Sequence, residues 1–231
     1  MVKSLRELHG VAIEATDGHI GSLQDLYFDD RSGQIRYFVV DTAKWLPGRR
    51  VLIAPEAIRR PWKDGTGLPV NLTRQQVRSS PEIAIERPVS REAEMLLHMH
   101  YGWAPYWVGA SLSPTAPELA SLVEEAREAE SASTQKREIH LQSGHEMIGF
   151  QICGSDGKAG VLDDLLIDPI EGKVRFLVVK TGERFSHKQV LLSPDVIAGV
   201  NGAESKITTR LSRHAIGCCP EHKSPGSERN M

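Results

Sequence analysis

The sequence predicts a mainly β protein: two small antiparallel β-barrels related by internal duplication and joined by a two-helix connector. Three observations carry that reading. An internal repeat runs in one register, both copies consist of short apolar runs punctuated by turn residues, and a middle segment with helical spacing has no counterpart elsewhere. The repeat has an offset of 139 residues, seen in Asp17-Gly18 and Asp156-Gly157. The same offset pairs Gly10 with Gly149, Gly21 with Gly160, Asp25-Leu26 with Asp164-Leu165, and Val39-Val40 with Val178-Val179. It extends to Pro55 and Pro194, and to Pro81-Glu82 and Pro220-Glu221.

Each copy reads as about five or six short strands joined by turn chemistry. In the first, "GVAIEA" reaches a turn at Asp17-Gly18, and "SLQDLYFD" leads to "DDRSG", a hairpin loop in which Gly33 supplies positive φ. "DPIEG" does the same in the second copy. "QIRYFVVDT" is the strongest strand, followed by "RVLIA" and a hairpin across Asp64-Gly65. The helical turn "TRQQVRSS" closes the unit. Closure of such a unit into a barrel removes exposed sheet edges.

The third strand is apolar on both faces, with Ile35, Tyr37 and Val39 against Phe38 and Val40. The second copy sets Val174, Phe176 and Val178 against Leu177 and Val179. A strand half exposed to water alternates apolar with polar, so both faces here need cover. The expectation is that the copies pack about a pseudo-two-fold axis, with Phe38, Val40, Leu177 and Val179 as the inter-barrel set.

The expected organisation is a first barrel over 1–87, a connector over 88–135, a second barrel over 136–217 and a disordered tail over 218–231. Ser90 caps a connector helix whose stripe is Val89, Ala93, Leu96, Leu97 and His100, and Gly102 ends it. "YGWAPYW" follows, concentrating Tyr101, Trp103, Tyr106 and Trp107. These serve either as partner-binding anchors or as a clamp of the connector onto its own barrel. A Thr115-x-x-Glu118 capping box opens a second helix, with Leu119, Leu122, Val123 and Ala126 on one stripe.

Composition bounds the function. The chain has 231 residues, 40% hydrophobic and 25% charged, with net charge −2 and a pI of 6.5. That balance argues against a broadly basic nucleic-acid surface. No apolar run approaches the ~18 residues of a membrane span, and the start lacks the apolar stretch of a secretion signal. A cytoplasmic protein is expected. Cys153, Cys218 and Cys219 form no spaced framework and read as free thiols.

Candidates for chemistry are few. His214, Cys218, Cys219 and His222 lie close together but lack the second half of a zinc signature, so no metal site is expected. Asp25, Asp29, Asp163, Asp164 and Asp168 read as turn-capping carboxylates rather than an acid–base pair. Arg49 and Arg50, with Arg59, Arg60 and Lys63, form a local basic patch open to phosphate or RNA. Its equivalents Lys188, Gln189, Ala198, Gly199 and Gly202 largely lose the charge, which favours a solvated face. No phosphate loop or nucleophile motif occurs, so no catalytic residue, cofactor or enzymatic activity is expected.

"DGHIGSLQDLYFD", "IRYFVVDT" and "VLIAPEAI", answered by "DGKAGVLDDLLID", "VRFLVVKT" and "VLLSPDVI", resemble the PRC-barrel family, named for the photosynthetic reaction centre. The resemblance covers both repeats and is nearest to stand-alone tandem PRC-barrel proteins of bacteria. It implies a small β-barrel used for assembly or docking, with no shared catalytic residues. The family includes the cytoplasmic domain of the reaction-centre H subunit and the C-terminal domain of the ribosome maturation factor. Here the membrane helix of the former and the extra N-terminal domain of the latter are not expected. The leading expectation is a non-enzymatic scaffold protein acting in assembly of a larger complex, through an unidentified protein partner or its own oligomer. The reaction-centre analogy offers a second reading, an accessory subunit of a photosynthetic or membrane electron-transfer complex peripheral to the inner membrane. The ribosome-factor analogy offers a third, RNA or ribosome association.

Overall fold

Glycine and aspartate turns cut the apolar runs into strands at the expected places. A computed structural model describes residues 2–42, 45–62, 65–81, 89–107, 141–182 and 188–222. The first repeat contains β1 (Lys3–Ser4), α1 (Leu5–Leu8), β2 (Ala12–Ala15), β3 (Gly18–Asp29), β4 (Ile35–Asp41), β5 (Arg50–Ile53), β6 (Leu68–Pro69) and α2 (Arg74–Arg78). Helix α3 (Arg91–Tyr101) follows. The second repeat contains β7 (Leu141–Ser143), α4 (Gly144–Met147), β8 (Gln151–Gly154), β9 (Gly157–Asp168), β10 (Lys173–Thr181), β11 (Lys188–Leu192), β12 (Ile197–Asn201), β13 (Lys206–Thr209) and α5 (Arg213–Gly217). The protein is mainly β, in two sheets. No helix among the described residues is long and apolar enough to cross a membrane.

One sheet has the order β5-β4-β3-β2-β6 with β7 on β3; the other runs β11-β10-β9-β8-β13-β12 with β1 on β9. The duplicated phrase joins the two ends of the second path: Pro194–Val196 is a 3₁₀ turn linking β11 to β12, with Pro at its start. Pro55–Ala57 is its counterpart in the first repeat. Most pairings are antiparallel as expected, but β2 pairs β6, and β8 pairs β13, in parallel. A parallel pair needs a long connection, and the strands between the partners supply it. The hairpin ending the first repeat is reduced to an Ile58–Val70 bridge, whereas β12 and β13 pair over several residues. Pro61 and Pro69 lack the amide hydrogens such a ladder needs.

Two compact units cut across the repeats: Met1–Val11, Leu23–Val39 and His140–Met231 form one, and Ala12–Ser22 with Val40–Ile139 the other. In the first unit, β9 and β10 form the longest ladder, and Ile167, Leu165 and Val179 are buried in it. Register shifts between Val174 and Phe176 mark a bulge. The expected common face of Val174, Phe176 and Val178 therefore breaks. Val174 is buried, but Phe176 is 38% exposed, although its equivalent Tyr37 is wholly buried. Residues 218–222, read from sequence as part of the tail, run beside β11: Leu191 N donates to Pro220 O at 2.8 Å and His222 N to Gln189 O at 2.9 Å.

In the second unit, Gly21 approaches the chain at Asp41 so closely that an added Cβ would lie 2.0 Å from that carbonyl oxygen. Within the first unit its equivalent, Gly160, stands 2.3 Å from Lys180 O by the same measure. The repeated glycine is required by a repeated backbone crossing. Helix α3 begins at Ser90, whose Oγ accepts from Ala93 N, and ends at Gly102 in the left-handed conformation, φ 70°. Its buried positions are Glu94, Met95, Leu97 and His98, whereas Leu96 is 41% exposed. The stripe is rotated from the expected one because the following aromatic loop folds back on the helix and provides partners for Glu94. The expected second connector helix and the polar linker after it lie outside the described residues.

Candidate functional site

The aromatic loop is built around one buried carboxylate. Tyr106 Oη donates to Glu94 Oε2 at 2.6 Å, and Arg91 Nη1 lies 3.4 Å from the same oxygen. Glu94 is 4% exposed, so its charge is tolerated only with these partners. Burial, with the Glu94 charge beside it, pushes the Tyr106 phenol far above its ordinary range. The Arg91 guanidinium sits over the Trp107 ring at 4.2 Å and the Tyr106 ring at 5.4 Å. Buried His98 packs edge-on against Trp103 and Trp107, and its Nδ1 contacts Ala104 O at 3.2 Å. Tyr101 stacks on Trp103 at 4.3 Å. Burial also raises the Tyr101 pKa, against the pull of Ser80 and Arg49. All four aromatic residues are half-buried.

The basic pair divides. Arg49 is committed internally: its guanidinium donates to Arg78 O at 2.6 Å, to Ser80 O, and to Ser80 Oγ at 3.2 Å. Arg50 is exposed, as are Arg59 and Arg60, and Lys63 lies outside the described residues. Arg74, held over Trp45 at 4.7 Å, is a further internal cation.

The carboxylates hold turns and connections. Asp29 Oδ1 accepts from Arg31 N and Ser32 N, and Asp168 Oδ1 from Ile170 N and Glu171 N. Burial alone would raise the Asp29 pKa, but the Ser32 and Arg31 hydrogen bonds and the Arg36 charge leave it below the usual value. Asp17 and Asp156 each accept the first backbone N–H of the closing helix, from Arg74 N at 2.8 Å and Arg213 N at 2.7 Å.

Sequence reasoning missed a reciprocal strand exchange inside the first unit and the polar side chains that accompany it. Ser4 pairs with Leu166 of the second repeat, and Ser143 with Tyr27 of the first. These are equivalent pairs at the 139-residue offset. Ser4 Oγ donates to Asp164 Oδ2 at 2.5 Å, and Ser143 Oγ to Asp25 Oδ2. Asp25 Oδ1 also accepts His145 N at 2.8 Å. Asp163 joins the seam, taking Arg6 at 3.0 Å, Lys180 at 2.6 Å and Gln189 Nε2 at 2.7 Å. Burial opposes its ionisation, but Lys180 and Arg6 hold its pKa below the ordinary carboxylate value. The signal was present in sequence: Ser4-x-x-Glu7 and Ser143-x-x-Glu146 are matched helix starts, and Ser4 forms a full capping box.

Phe38, Val40, Leu177 and Val179 are all buried, none above 1% exposed. Leu177 pairs with Leu165 and Leu192 in the ladder, and Val179 with Leu162 and Val190. Backbone pairing between the repeats runs through β1 on β9, β7 on β3 and a Gln34–Lys173 bridge. His214 Nε2 lies 3.7 Å from Cys218 Sγ, whereas the Cys219 thiol donates to Ala215 O at 3.4 Å. Burial, then the neighbouring Cys218, pushes the Cys219 thiol up. Among the described residues no group of three or more His, Cys, Asp or Glu side chains is arranged to hold a metal ion.

No curated protein matches the chain. The family model of the PRC-barrel domain matches residues 2–63 and 141–213, the two segments that carry the exchanged strands and the duplicated turn phrase. With more than half of its length matched, and both repeats included, the chain belongs to the PRC-barrel domain family.

Proposed function

We propose that the protein is a non-enzymatic docking module that assembles a larger complex by engaging a protein partner through its aromatic loop. One observation carries the reading: Tyr106 is anchored on the buried Glu94, Trp103 and Trp107 pack on His98, Tyr101 stacks on Trp103, and all four residues remain only half-buried. Rigid Trp and Tyr rings beside an arginine bury much area for little lost side-chain entropy, which suits an anchor. The duplicated carboxylates, by contrast, are occupied in turns and in the strand exchange, and Arg49 is occupied by the Arg78 and Ser80 carbonyls. The reading places the protein in the cytoplasm, attached to its complex rather than inserted in a membrane.

The test compares affinity capture from native-host extract by the wild-type chain, Trp103→Ala/Trp107→Ala, and Ser4→Ala as a control outside the loop. A defined partner retained by wild type and Ser4→Ala, and lost with the double variant, is the expected result. Equal capture by all three would remove the aromatic loop from the docking surface. A turnover abolished by a single substitution would replace the reading with an enzymatic one.

A further inference from the structure

Helix α5 and its C-terminal cap place two metal-ligating side chains one turn apart, beside an open hollow. His214 and Cys218 are both exposed, with Nε2 and Sγ 3.7 Å apart. With Arg213, Gly217 and Asp156 they line an open hollow of about 580 Å³. That separation matches one edge of a coordination polyhedron. Bonds of about 2.3 Å to sulfur and about 2.05 Å to nitrogen would subtend an angle of about 115° at a shared ion, near tetrahedral.

Neither residue is needed for the helix that carries it. The first repeat builds the same helical turn with Gln75 and Ser79 at the equivalent positions, and Ser79 Oγ there donates to the Gln75 carbonyl. The framework around the two turns is otherwise shared. Thr73 and Ser212 cap the helices, and Asp17 and Asp156 accept from Arg74 N and Arg213 N. The His–Cys pair is therefore an addition to the second repeat. Cys219 is turned to Ala215 O, which leaves Cys218 as the thiol facing His214.

We propose that His214 and Cys218 form a two-ligand site for a thiophilic d¹⁰ cation of the zinc class, with water filling the remaining positions. Imidazole and thiolate together select zinc or copper(I) over magnesium or calcium. Binding replaces the thiol proton: the S–H bond breaks, the sulfur lone pair forms the bond to the ion, and the proton leaves to solvent. Affinity therefore rises with pH. Access is direct, because both donors are at the surface.

Cobalt(II) is the probe, since it takes zinc ligands and reports thiolate ligation by a near-ultraviolet charge-transfer band. Chelator-treated full-length protein, titrated anaerobically, should develop the band to one equivalent per chain and lose it on addition of zinc(II). His214→Gln and Cys218→Ser should each abolish it. Both substitutions install the residue the first repeat carries in the same turn, so folding is retained. Cys219→Ser, Cys153→Ser and His222→Ala should keep the band. Absence of the band in the wild type, its survival in His214→Gln, or its loss in Cys219→Ser would overturn the proposal.

Discussion

Gln34 and Lys173 face each other across an isolated antiparallel bridge, and each is the other's equivalent in the duplicated sequence. A residue paired with its own counterpart lies on a two-fold relation. The flanking bonds obey it: Ile35 N donates to Gly172 O and Val174 N to Gly33 O, both at 2.8 Å. The hairpin loops "DDRSG" and "DPIEG" are thus a place where the repeats meet, and the exchanged strands flank it. Within the first unit, the segments of the two repeats around this bridge pair as the subunits of a two-fold dimer with exchanged N-terminal strands would.

The exchange predicts coupled energetics for Ser4 and Asp164. Removing the hydroxyl with Ser4→Ala deletes both the helix cap and the bond to Asp164, and should cost about 1–2 kcal/mol. Asp164→Asn should cost a similar amount, and the double variant less than the sum. Urea unfolding of the four members of this double-mutant cycle checks it. Strict additivity would show that the bond contributes nothing.

Gly144 predicts overpacking. A Cβ there would stand 3.0 Å from Leu5, 3.2 Å from Leu165 and 3.2 Å from Leu26. Leu5 and Gly144 are equivalent positions, as are Leu26 and Leu165, so one large and one small residue share the space. Gly144→Leu should destabilise by about 1–3 kcal/mol. Leu5→Ala added to it should recover part of that loss, which thermal unfolding of the single and double variants measures.

Asp163 predicts a pH dependence of defined sign. Its folded pKa lies below the unfolded value, because Lys180 and Arg6 favour the carboxylate more than burial opposes it. A group of that kind stabilises above the unfolded pKa of about 3.9, and the contribution disappears as pH falls through the folded value. Stability measured by urea between neutral pH and pH 3 should fall on acidification. Asp163→Asn should be less stable near neutrality and show a shallower acid loss. An unchanged slope would assign the acid loss to other carboxylates, such as Asp29 and Asp168.

The Glu94 knot predicts that Tyr106→Phe is more than a lost hydroxyl. The carboxylate is buried, so removing its 2.6 Å donor should cost about 1–3 kcal/mol. The loop carrying Trp103 and Trp107 should loosen with it, read as a red shift and easier quenching of tryptophan fluorescence. An unchanged spectrum would mean that the rings are positioned by His98 and Arg91 alone.

Local chemistry determined a great deal of this protein from sequence. Asp17-Gly18, Gly33, the Pro55 and Pro194 turns, and the Ser90 to Gly102 helix are set by interactions within a few residues, so their positions are readable in one dimension. The 139-residue register made the duplication and the mainly β class legible in the same way. The strand exchange was not, although Ser4-x-x-Glu7 and Ser143-x-x-Glu146 marked its ends, because a two-residue strand has no periodicity and its partner lies some 160 residues away in sequence. Parity on the third strand also escaped, since a bulge at Arg175 and Phe176 turns one ring outward and alternation cannot register an extra residue. The buried face of α3 was decided by Tyr106, which lets the Glu94 carboxylate occupy an interior position outside the expected apolar stripe. Only tertiary contact assigns Arg49 to the Arg78 and Ser80 carbonyls and brings Asp163 between Arg6 and Lys180, because burial and charge pairing are properties of packing, not of order along the chain.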